Sequence, residues 1–156
     1  MRAYFDSSAL AKRYIVEPGT AEVLKHCSKA SEILLSILCL PELISAFNRL
    51  AREKKITRIQ YKQLKTSMLM DVEQASLFDI GHPILQRSIL YLESFPLRTL
   101  DAIHLATAIE AGCDLFITSD FKQAIAAKKL GLQVSEIKLL SKYIYLNLKR
   151  LVQPEI

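Results

Sequence analysis

The segment TLDAIHLATAIEAGCDLFITSD, residues 99–120, decides the fold of this chain. Its first half places Ala102, Ile103, Leu105, Ala106 and Ile109 around nearly every side of a helix. A helix with no polar face to spare belongs in the interior, so 99–111 is expected as a central buried helix closed by Gly112. Four residues, LFIT, follow at 115–118 and are apolar on successive positions rather than alternating ones. That is the pattern of a strand covered on both faces.

The same grammar extends outward. RAYFD at 2–6, ILLSIL at 33–38, SLFDI at 76–80 and LQVS at 132–135 read as further strands. The intervals carry helical spacing over 20–30, 41–55, 57–73, 83–94 and 121–130, and a last amphipathic helix is expected over 136–152. Pro41 suits the first helical position, and Thr57 with Gln60 has the spacing of a capping box. Strands separated by helices imply an α/β fold, a parallel sheet of about five strands with helices on both faces. In such sheets functional groups gather beyond the carboxyl ends of the strands.

With 156 residues the chain has the size of one domain, and its 4 glycines and 5 prolines exclude a collagenous or low-complexity protein. A net charge of +5 suits a polyanionic partner without requiring one. Cys27, Cys39 and Cys113 lack metal or redox spacing and are expected as buried reduced thiols. No basic segment followed by an apolar run opens the sequence, and the longest charge-free stretch, 33–41, is far short of the roughly 18 apolar residues that span a bilayer. A cytoplasmic protein with no membrane contact is expected. There is no GxGxxG, GxxxxGK[ST], GxSxG or HExxH, which removes dinucleotide, P-loop, serine-hydrolase and zincin chemistry.

Four carboxylates remain where the topology would gather them. Asp6 ends the first strand, Glu42 lies in the first turn after the second, Asp101 heads the buried helix, and Asp120 follows LFIT directly. Each has a structural explanation: acids near a helix start are favoured by the dipole, and Asp6 and Asp120 suit N-caps. Together they are harder to explain that way, because buried carboxylates without partners are costly and no basic residue is placed in strand to neutralise them. Oxygen ligands without His or thiolate suit Mg²⁺ or Mn²⁺, ions that serve phosphodiester hydrolysis.

The motifs DSSAL at 6–10, PEL at 41–43, TLDAIHLATA at 99–108 and DLFITSD at 114–120 resemble the PIN-domain ribonucleases, and more narrowly the VapC-type toxins of toxin–antitoxin pairs. The resemblance covers about residues 1–135 and implies a single Rossmann-like PIN domain there; 136–156 departs from it and is expected as a helical extension packed on the same domain. It implies a Mg²⁺/Mn²⁺-dependent endoribonuclease. It assigns the acidic quartet to Asp6, Glu42, Asp101 and Asp120, with Asp6 and Asp101 as the main ion ligands and Ser8 and Thr118 as accessory hydroxyls. It also implies a homodimer and a cognate antitoxin.

Three questions stay open in the residues themselves. Asp114 rivals Asp120, although it precedes its strand and should face the opposite end of the sheet. His104, one turn after Asp101, suits either a general base or a hydrogen-bonded core histidine. The basic run from Arg49 through Arg52, Lys54, Lys55 and Arg58 to Lys62 and Lys65 is either an RNA-backbone surface or a solvated helical turn; Lys12, Arg13, Arg98 and Lys122, near the acidic motifs, are further candidates for phosphate contact. A haloacid-dehalogenase-like phosphohydrolase would also use an Asp after strand one, but it wants a second Asp where Ser8 stands. A non-catalytic RNA- or protein-binding module is the remaining alternative.

Overall fold

The computed structural model describes residues 1–138. In chain order the elements are β1 (Arg2–Phe5), α1 (Ser7–Tyr14), α2 (Thr20–Lys29), β2 (Glu32–Ser36), α3 (Cys39–Arg52) and α4 (Arg58–Glu73). Then come β3 (Ser76–Phe78), α5 (His82–Ser94), α6 (Thr99–Glu110), β4 (Leu115–Thr118), α7 (Phe121–Lys129) and β5 (Val134–Glu136). The strands form one sheet in the order β3-β2-β1-β4-β5, every neighbouring pair parallel.

Strand periodicity divides the interior into two cores. Tyr4, Leu34 and Phe116 point to one face and meet Ile84 and Tyr91 of α5, most of α6, and Ala126 and Ala127 of α7. Ala3, Phe5, Leu35 and Ile117 point to the other and meet Leu10, Val23, Leu43, Phe47 and Met68 of α1–α4. Both faces are therefore dry, which is why the strands are apolar on successive residues. Helix α6 is the most deeply set, with Asp101 through Ala108 all buried, as its unbroken apolar surface requires.

Some boundaries differ from expectation. The second strand stops at Ser36, and α3 begins at Cys39, so Pro41 lies inside the first turn rather than at its first position. The missing N–H does no harm there, since the first four amides of a helix have no intrahelical acceptor. The fifth strand takes in Glu136, whose neighbour Ile137 donates its amide to the Thr118 carbonyl at 2.8 Å. Glu136 is thus a strand residue and not the start of the expected helix over 136–152; residues 139–152 of that expected helix lie outside the described residues. The Thr57–Gln60 capping box forms in both directions, at 3.1 and 2.8 Å.

The sheet order carries the functional consequence. From β1 the chain adds β2 and β3 on one side, then returns to add β4 and β5 on the other. The crevice beyond the carboxyl ends of β1 and β4 is a topological switch point, the usual ligand site of open α/β sheets.

Candidate active site

Asp6 stands at that crevice. It is the N-cap of α1, its Oδ1 accepting the Ala9 amide at 2.9 Å, and it is only 3% exposed. Ser8 Oγ donates to it at 2.9 Å while accepting the Ser119 amide, and the single Thr118 hydroxyl hydrogen is shared between Asp6 Oδ2 at 3.1 Å and Gln123 Oε1 at 2.7 Å. These donors tie β1 to β4 directly. Burial pushes the Asp6 carboxyl above its ordinary range, against the pull of His104 and of these bonds. Among the described residues Asp6 makes no ion pair.

Glu42 is set by a chain of three side chains. His104 Nε2 lies 2.7 Å from Glu42 Oε2, and since a carboxylate only accepts, that nitrogen carries the proton. Tyr4 Oη lies 2.8 Å from His104 Nδ1, deep in the core. Ser7 Oγ donates to Glu42 at 2.5 Å and lies 3.2 Å from the same His104 nitrogen. Burial acts to raise the Glu42 carboxyl, but the His104 bond and charge, the Ser7 bond and the Arg98 charge together leave it lowered. His104 is therefore a buried, fully bonded group that holds an acid in place. Sequence reasoning misses the roles of Tyr4 and Ser7, because nothing local to Ile103-His104-Leu105 indicates which groups about 100 positions away meet the ring.

Asp101 and Asp120 have a cationic partner that the strands alone did not suggest. Arg98, one turn before Asp101, donates two parallel bonds to its carboxylate, at 2.8 and 3.1 Å, and reaches Asp120 Oδ2 at 3.5 Å. As expected, no strand residue neutralises them; the cation comes from the loop before α6, where strand patterns carry no information. Asp120 caps α7 by accepting the Gln123 amide at 2.9 Å. Fully buried Gln123 also donates to the Asp101 carbonyl at 3.2 Å, so one amide side chain locks α6, α7 and β4 together.

All four acids thus lie at the carboxyl end of the sheet, linked in part through Thr118, Gln123, Arg98 and His104. Asp114 does not join them: it accepts the Arg2 amide at 2.7 Å, at the opposite end of β1. The basic residues Arg49, Arg52, Lys54, Lys55 and Arg58 are exposed but stand apart from the acids. Glu42 is in the first turn of α3 and Arg52 is its last residue, about 15 Å along the axis at 1.5 Å per residue.

The PIN domain family model matches residues 3–129. The chain belongs to the PIN-domain family. Ribonuclease VapC46 of Mycobacterium tuberculosis is 32% identical over 133 residues, 84% of this chain and 94% of that protein. VapC20 of M. tuberculosis, described as a sarcin-ricin loop cleaving toxin, superposes with a TM-score of 0.61 at 13% identity, over 80% of this chain and 94% of that one. VapBC2 from Rickettsia felis, solved bound to a DNA fragment from their promoter, gives a TM-score of 0.60 at 13% identity, over 87% and 98% of the two chains. At such identities the two structures speak to the fold alone. The haloacid-dehalogenase alternative loses its footing: the position two after Asp6 holds a hydroxyl, Ser8, bonded to that acid.

PIN-domain nucleases use divalent metal ions, and the donors present fit one. The acids and hydroxyls of the site offer oxygen donors, the hard ligand set of Mg²⁺ and Mn²⁺, while the His104 ring is already engaged by Tyr4 and Glu42. Asp6 is buried with neutral donors only, a carboxylate whose charge an ion would balance. As they stand, no three His, Cys, Asp or Glu side chains among the described residues are gathered around one point. Arg98 occupies the space between Asp101 and Asp120 instead.

Proposed function

We propose that this PIN-domain protein is a Mg²⁺- or Mn²⁺-dependent endoribonuclease, the toxin of a type II toxin–antitoxin pair. The observation that carries the proposal is Asp6, buried at the sheet's switch point, with Asp101, Asp120 and Glu42 disposed around it. When bound, the ion supplies a lowered water pKa and stabilises charge on the attacked phosphate. Asp6 and Asp101 would hold it, Asp120 would complete the pocket, and Glu42 would orient a water from a position set by His104 and Ser7. Ser8 and Thr118 keep the Asp6 carboxylate aimed into the crevice. Arg98 releases Asp101 and turns to the RNA phosphate, a role its exposed guanidinium allows.

The basic face at 49–65 serves as a more distant RNA-backbone contact, which makes binding salt-sensitive. A homodimer and a cognate antitoxin are the proposed partners; the support is that similar folds occur in proteins solved as toxin–antitoxin complexes. Among the described residues no helix is long and apolar enough to cross a membrane, and the three free cysteines suit the reducing cytoplasm proposed as its location.

The test is cleavage of RNA with Mg²⁺ or Mn²⁺, with and without EDTA. Asp6→Asn and Asp101→Asn should each lower the rate by more than the roughly 10–100-fold typical of losing a partner that only supports a metal ligand. Cleavage at the parental rate by both variants refutes the acidic site.

A further inference from the structure

One aromatic side chain beside the acids has no role in the fold. Phe121, the first residue of α7, is 65% exposed, although aromatic rings ordinarily bury most of their large area. It belongs to neither hydrophobic core. It lines an open cleft of about 370 Å³ together with Pro96, Arg98, Asp101, Asp120 and Lys122. The volume is within the roughly 300–1,000 Å³ of small-molecule sites, and two of the lining residues are members of the acidic group itself.

The chemistry of that lining is uneven in a useful way. Arg98 and Lys122 supply cations for phosphates, while the rings of Pro96 and Phe121 supply flat apolar surface. The acids repel a phosphate from the floor but do not repel the uncharged face of a base. Base–aromatic stacking tolerates any base, which suits a surface that offers few base-edge donors. Phe121 is also fixed in place at little cost, since Asp120 caps its helix and Gln123 locks that helix to α6.

The geometry points to a nucleobase subsite: Phe121 stacks an unpaired base of the RNA next to the scissile phosphate, with Arg98 and Lys122 on the flanking phosphates. This inference rests on the ribonuclease function proposed above and assigns its substrate as single-stranded at that position.

The chain contains no tryptophan, so Phe121→Trp places a sole tryptophan in the cleft, excited selectively over the six tyrosines at the red edge of absorption. Binding is measured with single-stranded oligoribonucleotides in an Asp6→Asn background, which keeps the RNA intact. Phe121→Ala should weaken binding about fivefold or more, and Phe121→Trp should restore it. Trp emission should be quenched by the oligonucleotide but not by heparin, a polyanion without bases. An oligonucleotide made abasic at the contacted position should lose affinity for the parent and little more for Phe121→Ala. RNA binding with no Phe121→Ala loss and no base-dependent quenching overturns this inference and leaves the nuclease intact. So does unchanged RNA affinity with a changed assembly mass in light scattering, which assigns Phe121 to a protein interface. Absence of both RNA binding and cleavage in the parent protein overturns the nuclease function and this subsite with it.

Discussion

Replacing Arg98 with alanine removes the guanidinium that sits between Asp101 and Asp120. In the present arrangement its two bonds to Asp101 are 2.8 and 3.1 Å, and its approach to Asp120 is 3.5 Å. Any divalent ion that binds both acids must first displace it. The guanidinium is 79% exposed, so solvent screens the pair and its strength is that of a surface ion pair, roughly 0.2–1 kcal/mol. Removing that competition should tighten Mn²⁺ binding by about 1.5- to 5-fold, at 1.36 kcal/mol per decade. If both acids contribute fully, about 2 kcal/mol, the ceiling is roughly 30-fold.

The same change has an opposite effect without the ion. Asp101 is 8% exposed and loses its only cationic partner among the described residues, so melting in EDTA should fall by up to about 4 °C. Isothermal titration with Mn²⁺ and thermal melts with and without the ion measure both sides. The expected signature is a lower melting point in EDTA and a larger rise on adding Mn²⁺ than in the parent. Arg98→Lys should fall between, since a point charge cannot make the paired bonds. Unchanged or weaker Mn²⁺ binding in Arg98→Ala refutes the idea that Arg98 holds the ion's place.

Three further outcomes follow from the packing and the charges. His104→Ala should lower RNA cleavage by roughly 10–100-fold through a misplaced Glu42. Because Tyr4 and Glu42 are both left short of a partner, circular dichroism must show the fold retained, and His104→Gln should recover part of the rate. Phe47, fully buried against Tyr14, should cost about 3–5 kcal/mol when cut to alanine, measured by urea denaturation; a loss under 1 kcal/mol would contradict its place in the core. Asp71 carries the acid dependence of the α1–α4 contact: the Arg13 bond holds its carboxyl below the ordinary 3.8, with burial opposing. Its folded pKa is thus below the unfolded one, so its contribution is present above about pH 4 and lost as pH falls through the folded value. The stability gap between parent and Asp71→Asn, about 1 kcal/mol at neutral pH, should narrow as the pH falls below 3.8 and close once the folded carboxyl is protonated. A gap that does not change with acid would contradict the pairing.

What the chain's own pattern determined is the five strands, six of the seven described helices and the position of the acids among them; α1 showed only as the helix that an Asp6 N-cap would open. Strands show as short apolar runs because both sheet faces are covered, and α6 shows because a helix without a polar face can only be interior. Asp6 and Asp120 were legible because each directly follows such a run, and the end of a strand is a place the topology defines. Asp114 was separable from Asp120 by the same logic, as it precedes its strand.

Contacts between distant segments were not legible. The return of the chain from β3 to pair β4 with β1 places Thr118 within 3.1 Å of Asp6, residues 112 positions apart. Nothing local specifies that pairing; it is settled by which faces bury together. The same holds for Tyr4 and His104, and for Glu42 meeting that histidine across the crevice. Arg98 was visible as a cation near an acidic motif, but a sequence carries no direction for a long side chain, and only the fold turned it onto Asp101 and Asp120. Phe121 is the reverse case, an apolar residue at helical spacing that the fold leaves in solvent. Local periodicity reports what must be buried, because burial acts on every turn and strand; which charges face one another, and which ring stays wet, depends on long-range packing that only the tertiary structure decides.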